Sequence, residues 1–343
     1  MWIIGCDFHP SFQQIACVDQ TTGEYRRLRL EHKDGTAERF YRSLMGQQVL
    51  VGVEATGSMR WFERLLNELG FQMWAGDPTK VRAAAAHKAK TDKRDADLLL
   101  QLLMENRFPQ IWIPTAEQRD ARQLVLHRYR LVQTRTKAKN QLNAIARNEG
   151  LYPRRRAWSQ AGRSELMQLQ LSPWGSIRRQ DWSELLEELN QRIKPLDRAL
   201  EQEAEQRTEA RLLMTHPGVG PVVAMAFVLT LCDPMRFRTS KQVAAYLGLV
   251  PDERSSGNRQ RLGHITKQGN RLLRALLVEA AHVTAKYEPE WRRKYLRLAM
   301  KKNRSIAAVA MARRLAVRLW WMWKLGLDYG QMKESRSHAE QLA

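Results

Sequence analysis

Trp2-Ile3-Ile4-Gly5-Cys6-Asp7, near one end of the chain, and Gln48-Val49-Leu50-Val51-Gly52-Val53-Glu54, further along, share one pattern: a short apolar run closed by a single carboxylate. Such a run reads as a central strand, and the acid that ends it sits where the strand leaves the core. Between the two lie strand-like segments at residues 14–19 and 25–30 and a helical one at 36–45. After the second run and its Ala55-Thr56-Gly57, residues 58–69 read as a helix and 71–75 as a strand. Asp77-Pro78 then makes a turn before an Ala-rich helix at 81–89. An opening set of strands followed by alternating strands and helices predicts a layered α/β domain. Two neighbouring strands of its sheet can hold Asp7 and Glu54 side by side.

Two further acids stand in Lys90-Thr91-Asp92-Lys93-Arg94-Asp95-Ala96-Asp97. A helix places residues i and i+3 on one face, so Asp92 and Asp95 converge while Asp97 points elsewhere. The four acids are spaced like the metal-binding carboxylates of an RNase H-type nuclease. Clustered carboxylates repel unless a cation neutralises them, and Mg²⁺ accepts a few carboxylates together with phosphate oxygens. Two such ions would clamp both sides of a scissile phosphate. Each acid also has an ordinary reading: Asp92 as an N-cap, Asp95 as a first-turn acid favoured by the helix dipole, Glu54 as a solvated strand end. Their joint occurrence in a basic chain favours catalysis on nucleic acid.

The chain has 343 residues, enough for two domains and a connector, and 57 Lys plus Arg against 36 Asp plus Glu give a net charge of +21. That excess predicts a polyanionic partner, because each phosphate neutralised releases counterions. A membrane is the other common polyanionic surface, but no signal peptide or uninterrupted apolar span is present. The nearest candidate, 306–323, is broken by Arg313, Arg314 and Arg318 and reads as a buried amphipathic helix. Cys6, Cys17 and Cys232 are scattered and the histidines show no ligand spacing, so neither zinc nor disulfides are expected, and the compartment is a reducing cytoplasm.

A Pro-bounded stretch at 108–114 marks the exit from the first domain, 1–108. Residues 116–148 carry Leu124, Leu131, Val132, Leu142 and Ile145 at helical spacing in one long basic helix. Residues 151–182, with Arg154, Arg155, Arg156, Arg178 and Arg179, show no period and read as a basic loop or a segment ordered by its ligand. Helical periodicity returns over 185–213, with a bend expected at Pro195. The stripe Leu185, Leu189, Ile193, Leu196 and Leu200 suits an antiparallel coiled coil and is assigned to assembly. Around Gly218 and Gly220, Gly-x-Gly between two helices resembles a helix-hairpin-helix unit whose amides approach phosphate; a plain turn is an equal alternative. Residues 237–249 read as a helix. The following loop, 250–271, gathers Ser255 and Ser256 with Arg254, Arg259, Arg261, Lys267 and Arg271 before a helix at 272–285. Cation-rich loops bind phosphate, and a serine there can attack phosphorus; alternatively the serines only bond their own turns.

Taken together, Asp7, Glu54 with Ala-Thr-Gly behind it, Lys-Thr-Asp-x-x-Asp-Ala at 90–96, Pro-Gly-Val-Gly at 217–220 and Gly-Leu-x-Pro…Ser-Ser-Gly…Thr-Lys-x-Gly-Asn over 248–270 closely resemble the insertion-sequence-110 family of transposases. The resemblance spans nearly the whole chain in length and motif order. It implies an α/β RNase H-like (RuvC-like) N-terminal domain with a DEDD tetrad, here Asp7, Glu54, Asp92 and Asp95, which binds Mg²⁺. It further implies a helical coiled-coil connector, 115–213, and a mainly α C-terminal transposase domain, 214–330, with a nucleophilic serine, here Ser256 with Ser255 adjacent. Residues 331–343 read as a flexible tail. Partners implied by the resemblance are target and donor DNA and a structured noncoding bridge RNA. Protomers assemble from dimer to tetramer, and a serine domain completes another protomer's site. The place of action is the nucleoid. Two departures stand out: His9-Pro10 follows Asp7 where a more polar turn is expected, and the loop after Ser256 is compact.

Two other readings fit parts of the chain. A Holliday-junction-resolvase-like nuclease using water needs the same carboxylates but gives Ser256 no task. A non-enzymatic nucleic-acid scaffold needs only the basic surface and leaves the four acids unexplained.

Overall fold

The computed structural model describes residues 1–85, 92–151, 158–253 and 261–334. The chain forms two compact units, Met1–Ile113 and Pro114–Ala343. The first is a mixed α/β sheet domain, the second mostly helical.

In the first unit, β1 (Trp2–Phe8), β2 (Phe12–Asp19) and β3 (Tyr25–Glu31) form an antiparallel meander, followed by α1 (Thr36–Arg42). Next come β4 (Val49–Glu54), α2 (Arg60–Glu68), β5 (Gln72–Gly76), α3 (Pro78–Ala84) and α4 (Asp92–Met104). The sheet runs β3-β2-β1-β4-β5, with β4 parallel to β1 and β5 parallel to β4. β1 and β4 are apolar up to Asp7 and Glu54 because both their faces are covered. Ile4, Cys6, Val51 and Val53 pack with Tyr41, Phe62 and Leu66 of the α1/α2 side, whereas Ile3 and Leu50 pack with Leu99, Leu100 and Leu103 of α4.

α4 lies against the sheet because two paired glycines leave room for it. Gly5 faces Gly52 in the β1/β4 register. A Cβ on Gly5 would sit 2.4 Å from the Ala96 carbonyl oxygen and 2.3 Å from the Leu100 nitrogen, and one on Gly52 would sit 2.7 Å from Leu103 Cδ1. The sheet face is therefore flat where the helix crosses it.

The second unit opens with α5 (Ala116–Asn148), started by a capping box in which Thr115 Oγ1 accepts from the Gln118 amide and Gln118 Oε1 accepts from the Thr115 amide. α6 (Gln160–Gln168) and α7 (Pro173–Gln206) follow. Residues 151–182 are thus not a loop where they are described. Ser159 and Ser172 cap the two helices by accepting from Gly162 and Gly175, and Pro173 occupies the first helical position of α7. The same Ser, Pro and Gly letters serve loops and helix starts alike. Tertiary contacts decide between them here: Leu166 and Leu186 are buried with Ala138 and Leu142 of α5.

α5 and α7 run antiparallel, since Val125 shares a core with Leu200 and Ala204, whereas Leu142 and Ala146 share one with Leu186. Of the stripe expected to serve assembly, Leu189, Ile193 and Leu200 are buried within the chain, while Leu185 and Leu196 stay partly exposed. α7 passes through Pro195 and ends at Arg207, whose extended backbone separates it from α8 (Thr208–Met214) and so divides the helix expected over 185–213.

Beyond it lie α9 (Pro221–Leu231), a single 3-10 turn at Pro234–Arg236, and α10 (Ser240–Tyr246), capped by Thr239. The helix expected over 237–249 is accordingly shorter, because Thr239 Oγ1 accepts from the Gln242 amide and fixes a later start. The expected loop 250–271 contains an antiparallel hairpin, β6 (Pro251–Glu253) with β7 (Leu262–Ile265). α11 (Arg271–Tyr287), α12 (Pro289–Lys301) and α13 (Arg304–Leu325) complete the core. Met311, Leu315, Leu319 and Trp320 of α13 are fully buried, as expected of an amphipathic core helix. Described residues of the expected tail, 331–334, are helical, with Asp328 accepting from the Gln331 amide.

Candidate active site

The period-2 alternation of a strand decides where the first two carboxylates go. Ile4 and Cys6 face the α1/α2 side, so Ile3, Gly5 and Asp7 face α4; Val51 and Val53 likewise leave Leu50, Gly52 and Glu54 on the α4 face. Because Cys6 pairs with Val53 in parallel register, Asp7 and Glu54 are the next step along two adjacent strands. Asp92 and Asp95 occupy the first turn of α4, over the same edge.

Asp7 is largely shielded, with 14% of its side chain exposed. Burial raises its carboxyl pKa above the usual range. The adjacent His9 opposes that rise, and the negative charges of Asp95 and Asp92 add to it. His9 Nε2 lies 3.1 Å from Asp7 Oδ2 and 3.7 Å from Asp92 Oδ1, and the ligand atoms of all three residues fall within 4.8 Å of one another. The Asp95 Oδ2 atom is buried. Glu54 is half-buried at the end of β4. Asp97 turns away, accepting the Tyr25 hydroxyl at 2.6 Å and a two-pronged bond from Arg27 at 2.9 and 2.7 Å. That clamp ties the start of α4 to β3. The donor set, two carboxylates and an imidazole with ligand atoms within 4.8 Å of one another, suits a divalent cation.

Residues 4–148 match a DEDD-type IS110 transposase model, described as "Transposase", and residues 210–296 match the model described as "Transposase IS116/IS110/IS902 family". A "Probable family 20 transposase" of Pseudomonas aeruginosa is 30% identical over 331 residues, which cover 92% of this chain and 95% of that protein. The chain belongs to the IS110/IS116 family of transposases. A "Putative transposase y4pF/y4sB" of Sinorhizobium fredii is 26% identical over 96% of this chain and 85% of its own length. The "Transposase for insertion sequence element IS1111A" of Coxiella burnetii is 27% identical over 79% and 76%. As a transposase the protein is an enzyme whose substrate is DNA, and its DEDD-type domain points to divalent-metal chemistry. No helix among the described residues is long and apolar enough to cross a membrane.

Of the other residues singled out in the transposase sequence, Ser255, Ser256, Arg154, Arg155, Arg156, Arg254 and Arg259 lie outside the described residues. The base of the serine loop is described and is tightly interlocked. Gly248, at φ +65°, and Gly269, at φ +78°, each approach the other's flanking backbone so closely that a Cβ would stand 2.0 Å from the Gln268 carbonyl oxygen and 2.1 Å from that of Tyr246, respectively. The Thr266 amide donates to the Val250 carbonyl at 2.9 Å, and Asn270 caps α11 while its Nδ2 donates to Thr230 Oγ1 at 3.1 Å. Arg178, Arg261, Lys267 and Arg271 are exposed, and Gly220 is open at the start of α9.

Two of the expected contact residues have packing roles within the chain. Arg179 Nη1 donates to the Leu166 and Leu169 carbonyls at 3.1 and 2.9 Å and so closes the end of α6. Gly218 is pressed against α11, where a Cβ would meet the Ala280 carbonyl oxygen at 2.7 Å, so it serves helix packing. His9 is the residue that sequence reasoning missed. Its i+2 spacing from Asp7, just past the end of β1, was the available signal, because side chains two apart along an extended chain point the same way.

Proposed function

We propose that this transposase cuts and rejoins DNA through a phosphoserine intermediate, with Ser256 as nucleophile and Mg²⁺ held by Asp7, Glu54, Asp92 and Asp95. The observation that carries the reading is the clustering of Asp7 with Asp92 and Asp95, from the end of β1 and the first turn of α4, with Glu54 one register step beyond the paired residues at the end of the adjacent β4. The strand order and the antiparallel β2 support an RNase H-like, RuvC-like reading of residues 1–108. Residues 115–213 are assigned as connector and 214–330 as the serine-bearing transposase domain.

Burial and mutual repulsion leave Asp7 and its neighbours poised to gain from a cation. Mg²⁺ held by them would polarise the attacking hydroxyl and offset charge on the phosphate. Ser256 Oγ attacks phosphorus, forming a seryl-phosphate ester as one phosphorus–oxygen bond of the strand breaks and its oxygen departs as a hydroxyl. A DNA hydroxyl then attacks that ester and releases the serine. The ester retains the energy of the broken bond, so exchange between two DNAs needs no ATP. Sequence choice rests on pairing with a structured bridge RNA, while the protein holds backbone and shape. The net charge of +21 and the exposed Arg178, Arg261, Lys267 and Arg271 support a polyanionic partner. The reading includes self-association, from dimer to tetramer on nucleic acid.

Labelled DNA run on denaturing gels tests it. Wild type and Ser255→Ala should yield a covalent protein-DNA adduct, and Ser256→Ala and Asp95→Asn should yield none, as should wild type in EDTA. An adduct lost in Ser255→Ala but kept in Ser256→Ala moves the nucleophile by one residue. Cleaved strands without an adduct from wild type favour water as the nucleophile.

A further inference from the structure

We infer that His9 is itself a ligand of the cation held by Asp7 and Asp92, so that the metal centre of this transposase is a mixed nitrogen and oxygen site that favours Mn²⁺ over Mg²⁺. The inference rests on the carboxylate-metal reading above and adds a donor to it. His9 Nε2 stands 3.1 Å from Asp7 Oδ2 and 3.7 Å from Asp92 Oδ1. Neighbouring donors round a small octahedral cation with bonds of about 2.1 Å lie about 3 Å apart, so the imidazole already occupies a ligand's place beside Asp7. A shift of about 0.6 Å, from 3.7 to 3.1 Å, brings Asp92 to the same spacing.

The ring is fixed in that direction by the turn that carries it. The His9 amide donates to the Phe12 carbonyl at 3.0 Å, closing the link between β1 and β2. The imidazole stacks on the Phe12 ring with centroids 4.5 Å apart and planes 18° apart, and the Arg29 guanidinium covers the Phe12 ring at 3.6 Å. This stack leaves the imidazole little freedom to swing away, so a solvated surface histidine is a poor description of it. Pro10, following directly, restricts the turn further.

The chemical consequence lies in selectivity. Mg²⁺ is a hard cation that keeps oxygen ligands and several waters. Imidazole suits later first-row divalent ions, and Mn²⁺ accepts both carboxylate and imidazole. His9 thereby biases the site toward Mn²⁺ without excluding Mg²⁺, and the four carboxylates keep the roles proposed for them.

Electron spin-echo spectroscopy on Mn²⁺ bound to the full-length protein reads a nitrogen ligand directly, with no DNA and no turnover. Wild type should show ¹⁴N modulation, which His9→Ala and His9→Gln should both lose. Calorimetry should show Mn²⁺ affinity falling roughly tenfold in these variants and Mg²⁺ affinity changing less. Circular dichroism and thermal unfolding verify that at least one of the two variants is folded. Absent ¹⁴N modulation in wild type, or modulation that persists in a folded His9 variant, overturns the assignment of His9 while leaving a carboxylate centre standing. Mn²⁺ binding that is unchanged in Asp7→Asn overturns the centre itself, and His9 as its ligand with it.

Discussion

Asp7 and His216 illustrate two opposite ways a buried side chain meets its charge. Asp7 is surrounded by like charges and stays near solvent at a strand's end, where a cation can relieve it. His216 sits in the core of the second unit, 1% exposed, with Nδ1 donating to the Pro217 carbonyl at 2.9 Å and its ring against Tyr329 and Trp291. Burial pushes its pKa down to about 4, so the folded protein holds it neutral. In the unfolded chain it takes a proton near pH 6.5. The stabilisation is therefore complete above about pH 6.5 and is lost as pH falls toward about 4. Between pH 7.5 and 5 this one group should cost the second unit about 2 kcal/mol. Urea unfolding of wild type and His216→Phe at both pH values should show the smaller loss in the variant; equal losses would mean that His216 titrates alike in both states.

At the scale of elements, the contact between α4 and the sheet places Asp92 and Asp95. Gly5→Ala would push a methyl into the α4 backbone, 2.3 Å from the Leu100 nitrogen, where no flexible side chain can yield. A loss of about 3 kcal/mol is expected, with weaker Mn²⁺ binding as the helix is displaced. Thermal unfolding and calorimetry check both, and a variant as stable as wild type would show that α4 can shift freely. A different logic governs α5 and α7, whose shared stripe is internal. Ile193→Ala should lower stability by about 2–5 kcal/mol, with no change of oligomeric state in light scattering under conditions where the protein stays folded. Dissociation of an assembly without loss of stability would return the stripe to an intermolecular role.

For the whole molecule, 57 Lys plus Arg against 36 Asp plus Glu leave an excess of +21 that ion pairing within the chain cannot remove, and exposed cations stand at Arg178, Arg261, Lys267 and Arg271. Affinity for RNA or DNA should therefore drop roughly tenfold or more between about 50 and 200 mM salt. Reversal to glutamate of Arg178 should reduce the salt slope, whereas Arg179→Lys should chiefly lower stability, because Arg179 already bonds two carbonyls. Filter binding across a salt series and a melting curve separate these outcomes. A flat salt response would argue against a backbone-led interface.

What the sequence determined by itself was whatever depends on neighbours along the chain. Apolar runs ending in Asp7 and Glu54 read as buried strands, and the i, i+3 spacing of Asp92 and Asp95 put them on one helix face, because strand and helix periods are local geometry. The α5 helix was legible for the same reason, from the helical spacing of Leu124, Leu131, Val132, Leu142 and Ile145, and in the structure a local capping box of Thr115 and Gln118 starts it. Tertiary structure decided which surfaces met. The stripe of α7 announced that it would be buried but not against what, as any complementary apolar face satisfies it; α5 does so here. Ser172-Pro173 and Thr239 carried signals common to loops and helix starts, and only packing chose between them. His9 looked like a misplaced residue until the β1–β2 turn stacked it on Phe12 and aimed it between Asp7 and Asp92, a convergence of a strand, a turn and a distant helix that no local period encodes.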